Sequence, residues 1–287
     1  MERAIKDLCQ LSDADLFKEV TIGIGHIVEV VGRLDAAARK ASKGGDHHPA
    51  RIFRNLAEEE AAKVLILVDT VRCPRDNQEE RSRTLSYFYN HLAKGIYAEV
   101  CAWRPMDFAE VMRGVENERV EHYLDGPNDV DWIFPNSITQ RREDDLYVGY
   151  VRDDSEEGGQ GERYWVLPRG DDPIDNVLGY RTPAVIDLAH ALHQVHATTP
   201  AGLAVLAEVW RPVNVRAEMR FGELERLNHQ TLEALKDRDL LAPARDDVYA
   251  TIQDRWIFPL WPLDLRVKKV GKGHLREIRC QWSPGGW

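Results

Sequence analysis

FKEVTIGIGHIVEVVGRLDAAARKASKGG, residues 17–45, is the stretch on which the fold turns. Phe17, Val20, Ile24, Ile27, Val28, Val31, Leu34, Ala38 and Ala41 recur at steps of three and four. That spacing draws one apolar stripe along a helix. Ser12 and Asp15 stand three apart just before it, a weak form of the capping box, and Gly44 and Gly45 end it. A helix of about 30 residues spans about 45 Å at 1.5 Å per residue. Gly23 and Gly25 weaken it locally and offer a place for a second helix to come close.

Outward from this stripe, a second helix is expected after residues 46–49, with Ile52, Phe53, Leu56, Ala57, Val64, Leu67, Val68 and Val71 on its apolar side. Cys73 and Pro74 stop it, because proline disfavours helix in the residue before it. A third helix is expected over residues 78–103, with Leu85, Phe88, Leu92, Ile96, Val100 and Trp103 as its stripe. Pro105 opens a fourth, carrying Phe108, Val111, Met112, Val115 and Tyr123 as far as the turn cluster at 125–129. Long helices on short loops predict antiparallel neighbours in a bundle.

The pattern then changes. Residues 146–151 and 164–167 are rich in aromatic and branched side chains, which suit strands. The acidic, Gly-rich stretch between them makes the pair a hairpin. Thr182 and Pro183 read as the cap and first turn of a helix to about residue 197, followed by helices over 201–210 and 215–236. Residues 248–252 and 265–270 read as strands, with the aromatic, Pro-broken run 256–261 between them. The expected fold class is mostly α with a small β component. Its parts are a helical bundle over 1–125, a hairpin and helix over 126–200, and an α/β extension of unassigned role over 201–287.

Composition narrows the function classes. The 287 residues carry 38 Lys and Arg against 48 Asp and Glu, a net charge of −10, and 43% of them are hydrophobic. That is enough apolar material for a sizeable core. The acidity argues against binding along DNA, although residues 143–175 hold 11 acids to 3 arginines and residues 264–287 hold 6 basic residues to 2 acids. No apolar run reaches the roughly 18–20 residues of a membrane span, and the charged start lacks the apolar stretch of a signal peptide. Cys9, Cys73, Cys101 and Cys280 form no Cys-x-x-Cys pair, so a reducing, cytoplasmic setting is expected. Neither a Gly-x-Ser-x-Gly elbow nor a phosphate-cradling glycine loop occurs, and no cofactor is expected.

Two ionisable turns stand out. Glu58, Glu59, Glu60 and Lys63 lie on the second helix, where Glu59 and Glu60 can each meet Lys63. Alone, such pairs are solvated contacts that stabilise by about 0.2–0.5 kcal/mol. Leu56, Val64 and Leu67 flank them, which draws part of the cluster toward the helix–helix seam. His91 and Lys94 lie one turn apart on the third helix. A histidine exchanges protons near pH 7 and a nearby lysine steadies a developing anion. That pair suits metal-free RNA cleavage, in which the ribose 2′-OH is the nucleophile; the plainer alternative is a histidine hydrogen-bonded within the bundle. His190, His193 and His196 follow an i, i+3, i+6 spacing rather than the i, i+4 of zinc helices, so they read as a partly buried helix end. No metal site is expected there, and His47-His48 gives a weaker signal still.

Three segments, in order, resemble the AbiV family of bacterial abortive-infection proteins, which belongs with the HEPN helical domains. Residues 53–63 are similar to a small-residue helix ending in Glu-Glu-x-x-Lys, here Glu59, Glu60 and Lys63. Phe88, His91 and Lys94 match a Phe-x-x-His-x-x-Lys helix. Leu146-Tyr147-Val148-Gly149-Tyr150 with Trp165-x-x-Pro168 resembles a Leu-Tyr-Val-Asp-Tyr strand followed by a Trp-x-x-Pro strand, with Gly149 in place of the Asp. The resemblance covers residues 53–168 and implies a HEPN-like bundle and a toxin-like anti-phage effector. It also implies a homodimer with its site where two bundles meet, and an RNA, ribosome-associated or phage-protein partner. On that reading His91 transfers the proton, Lys94 steadies the phosphate, and Glu59, Glu60 and Lys63 orient them. One departure is plain. The HEPN hallmark is an Arg, four to six residues, then a His, whereas Arg83 precedes His91 by seven intervening residues. A binding protein of the same fold without catalysis is the alternative.

Overall fold

The computed structural model describes residues 4–124, 132–134, 136–152, 163–168 and 180–270. The turn cluster at 125–129, the acidic loop between the hairpin strands, Cys280 and most of the basic tail lie outside these residues.

After a 3₁₀ turn, Ile5–Gln10, helix α1 runs Asp13–Lys43 as the stripe predicts. Ser12 caps it, its Oγ accepting the Asp15 N–H at 3.2 Å. Gly45, at φ +79°, turns the chain back. Among the described residues the expected close approach at the α1 glycines is absent: a Cβ on Gly23 would meet Leu67 at an ordinary 3.8 Å, and one on Gly25 would meet nothing within 4 Å.

Helix α2, His47–Arg72, is the centre of the molecule. Every residue from 64 to 72 is buried, so this half is enclosed on all sides and packs against several neighbours, α1 foremost. It ends at Cys73, whose ψ of 134° is extended, as the following proline requires. Two charged residues in the buried half are paired. Arg72 Nε donates to Asp69 at 2.9 Å, and the Asp69 carboxylate also accepts the Tyr97 hydroxyl at 2.7 Å and the Leu260 N–H at 2.8 Å. The Arg72 guanidinium lies 4.7 Å from the Trp210 ring centre and 5.2 Å from that of Trp256.

The expected third helix is broken. It divides into α3, Gln78–Ser86, a 3₁₀ turn, Tyr87–Tyr89, and α4, His91–Val100. Asn90 makes the break: its backbone is extended (φ −93°, ψ 116°) and its side chain accepts the Ala93 N–H at 3.0 Å, capping α4. Helix α5, Phe108–Glu118, starts at the Asp107 cap rather than at Pro105, and Tyr123 belongs to strand β1, Val120–Leu124, rather than to a helix.

Strand β1 pairs antiparallel with β2, Trp132–Phe134. Helix α6, Ser137–Leu146, was not expected; Asn136 caps it, accepting from Ile138 and Thr139. The hairpin forms from β3, Gly149–Arg152, and β4, Arg163–Val166, with Tyr150 opposite Trp165 and their rings 4.8 Å apart. Helix α7 covers Ala184–Gln194 with Pro183 at its cap position; Thr182 instead accepts from Arg39 at 2.8 Å. It ends short of 197, and His196 follows at φ +65°.

Helices α8, Pro200–Trp210, and α9, Phe221–Asp237, come next. The segment expected as a strand at 248–252 is helix α10, Asp246–Arg255, because Val248 and Ile252, four apart, share its buried side. Strand β5, Lys268–Val270, is shorter than expected and pairs parallel with β1. The run 256–261 crosses the interior, with Trp256, Ile257, Phe258 and Leu260 all buried. The molecule is therefore mostly α with a small β component, and one apolar cluster takes in residues from Cys9 to Leu265. Among the described residues no helix is long and apolar enough to cross a membrane.

Candidate functional site

Because Asn90 interrupts the chain, His91 stands in the first turn of α4 and Lys94 one turn on, both turned toward α2. Glu59 of α2 meets them. Its Oε2 lies 2.8 Å from His91 Nδ1 and 2.6 Å from Lys94 Nζ, and its Oε1 accepts from Arg142 Nε of α6 at 2.7 Å. One carboxylate thus gathers donors from two other helices. Burial raises the Glu59 carboxyl, but the Lys94 hydrogen bond and charge, with His91 behind them, bring it below the usual glutamate value. The carboxylate is therefore ionised near neutral pH and can only accept. That assigns the proton of a neutral His91 ring to Nδ1 and leaves the lone pair on Nε2. The His91 side chain is 49% exposed and that of Lys94 only 5%. Lys94 supports the carboxylate from inside, while the imidazole faces out.

Glu59, His91 and Arg142 line a cleft of about 360 Å³ between α2, α4, α6 and the start of α7. Its other charged groups come in pairs across or along its walls. Arg54 Nε donates to Glu58 at 3.0 Å, Arg141 Nη2 to Glu99 at 2.6 Å, and Arg51 Nε to Asp145 at 3.4 Å. Asn55 also donates to Asp145, at 2.7 Å, and the Asp145 carbonyl lies 2.8 Å from His48 Nε2. Burial raises the Glu58 carboxyl; Arg54 opposes that rise and Glu99 adds to it. Ile138, Ala98 and Val185 supply the apolar wall.

The other expected residues fall outside this cluster. Glu60 and Lys63 pair with each other at 2.5 Å, and Lys63 Nζ rests 5.0 Å from the Phe88 ring centre. Arg83 is turned away, its Nη2 donating to the Trp261 carbonyl at 3.1 Å. Arg142 was missed because α6 is polar, with Ile138 as its buried apolar anchor; the available signal was Asn136, a good helix cap, ahead of it.

His190 and His193 titrate below the usual histidine value, burial being the main cause in both. His193 Nδ1 lies 3.0 Å from the Thr198 hydroxyl. Among the described residues no group of three or more His, Cys, Asp or Glu is placed to hold a metal ion. Cys9, Cys73 and Cys101 are buried and unbridged, and burial pushes the Cys73 thiol up to about 12. That chemistry belongs to structural rather than reactive thiols. No family model, no curated protein and no solved structure matches the chain.

Proposed function

We propose that this chain is an AbiV-like abortive-infection effector, toxin-like, acting on RNA or the translation machinery through a metal-independent site centred on His91. The observation that carries the reading is the Glu59 carboxylate, which joins His91, Lys94 and Arg142 at the wall of an open cleft. With Nδ1 held by Glu59, His91 Nε2 is the base that takes the proton of a ribose 2′-OH. The 2′-oxygen then bonds to the adjacent phosphorus, the bond to the 5′-oxygen breaks, and the imidazolium returns its proton to that leaving oxygen. A 2′,3′-cyclic phosphate and a 5′-hydroxyl are the products. Glu59 stabilises the transient imidazolium and fixes the ring, Lys94 keeps Glu59 ionised, and Arg142 holds its other oxygen.

The test is expression of the wild type and His91→Ala, followed by growth and total-RNA integrity. Growth arrest with fragmented RNA in the wild type alone is the expected result. Equal arrest with intact RNA in both removes the catalytic claim. A second reading, a non-catalytic HEPN-fold protein that engages a phage or ribosomal protein, draws on one observation. Arg51, Arg54, Arg141 and Arg142 of the cleft are each matched by a carboxylate, so the cleft has no charge excess. Defence that survives His91→Ala favours this reading. Homodimerisation is part of the proposal, and a sedimentation mass of 32.9 kDa at micromolar concentration counts against it.

A further inference from the structure

The cations at the mouth of the cleft differ from those at its floor. The side chains of Arg54 and Arg141 are 44% and 53% exposed, whereas those of Arg51 and Arg142 are 14% and 24% exposed. Arg54 stands on α2 and Arg141 on α6, and both line the same cleft. Their carboxylate partners are near each other, since Glu58 feels the charges of both Glu99 and Arg141. The more exposed pair, Arg141 with Glu99, contributes little stability, so an incoming anion displaces Glu99 at small cost, whereas Glu58 is only 25% exposed and keeps its bond to Arg54 Nε. The bond to Glu58 uses only Nε of Arg54, and a guanidinium carries four further N–H donors.

A phosphate accepts such donors in pairs, with shorter and stronger bonds than neutral acceptors give. The far wall agrees with an anion: Ala184 and Val185, the first residues of α7, line the cleft with Pro183 at the cap position, and among the described residues no side chain caps the first N–H groups of that helix. Beside them Ile138, Ala98 and Val185 give an apolar wall in a cleft of about 360 Å³, room for a nucleoside as well as its phosphate.

We infer that the cleft is a binding site for the phosphate of a ribonucleotide, held between Arg54 and Arg141 at its mouth, with the nucleoside against the Ile138 side. The inference adds a ligand-holding pair to the reading of His91 given above and rests on that reading only for what happens after binding. Shared phosphate chemistry leaves two sources, a free nucleotide or a unit of an RNA strand.

Calorimetric titration of the full chain at low salt, with inorganic phosphate, 5′-AMP and a short single-stranded RNA, tests it. The wild type is expected to bind 5′-AMP, with affinity falling as salt rises. Arg54→Gln with Arg141→Gln is expected to weaken it by about tenfold or more, the loss expected for charge-assisted hydrogen bonds. Arg33→Gln, on an exposed α1 pair at the 70% exposed Arg33, is the control and is expected to change nothing. Tighter binding of the RNA than of 5′-AMP assigns the strand as source; the reverse order assigns the free nucleotide. No heat with any of the three probes overturns the inference, as does an equal loss in Arg33→Gln. His91→Ala that binds 5′-AMP normally yet leaves RNA uncut keeps the two claims apart. Binding without any cleavage by the wild type ends the catalytic reading and leaves the phosphate site standing.

Discussion

Glu59 is the residue on which the site depends, because three donors converge on its two oxygens. Replacing it by glutamine keeps the shape but leaves the buried Lys94 ammonium facing a neutral amide, a loss of about 1–3 kcal/mol. The pH dependence follows from the sign of the shift. A carboxyl lowered in the folded state contributes stability that is complete above its unfolded value and is lost as the pH falls through its folded value. The gap between wild type and Glu59→Gln in urea melts should therefore be full at pH 7 and close as the pH drops below the ordinary glutamate value of 4.5. A gap that does not vary with pH would show that charge is not what Glu59 contributes. The sequence made Glu59, His91 and Lys94 readable, since helical spacing on two adjacent helices is a local signal. It also linked Glu60 and Lys63 to them, because spacing alone does not say which way each of two neighbouring glutamates turns. Glu59 and Glu60 are about 100° apart around α2, and only the first meets α4.

Among elements, α6 decides whether the cleft has a second wall. It seats on α4 where Gly95 leaves space for Ile138, and a Cβ at that glycine would overlap the isoleucine side chain. Gly95→Ala should cost about 1–3 kcal/mol by overpacking, although alanine is the better helix former. Faster amide exchange across α6 should accompany it, and unchanged exchange there would place the seat elsewhere. This wall was invisible in the sequence for a physical reason. A helix that docks through Ile138 and pairs Arg141, Arg142 and Asp145 with other helices draws no apolar stripe. The break at Asn90 was hidden differently: Phe88 and Leu92 keep the helical rhythm across it, and only the side-chain bond of Asn90 to Ala93 stops the backbone. Segment 248–252 misled through its branched and aromatic residues, whose strand preference burial of Val248 and Ile252 on one helical side outweighed. Helices α1 and α2 were legible because long apolar stripes leave few alternatives.

For the whole molecule, the last third belongs to the first. Trp256 and Trp210 enclose Arg72 of α2, and the backbone at Ile257 and Leu260 bonds to Arg72 and Asp69. Trp256→Ala should cost about 3–5 kcal/mol, as a large core truncation that also opens one face of the guanidinium. Denaturation followed at a probe on α1 should move by the same amount as the overall transition; a shift confined to residues beyond 200 would mean that the C-terminal part melts alone. Arg72 and the Ile257 carbonyl that holds it are 185 positions apart. During vectorial synthesis, then, the central helix holds its guanidinium against Asp69 alone until residues 256–260 have left the ribosome. A nascent chain interrupted earlier carries His91 and Glu59 but lacks the segment that locks their helices, so maturation of the site follows the emergence of residues 256–260.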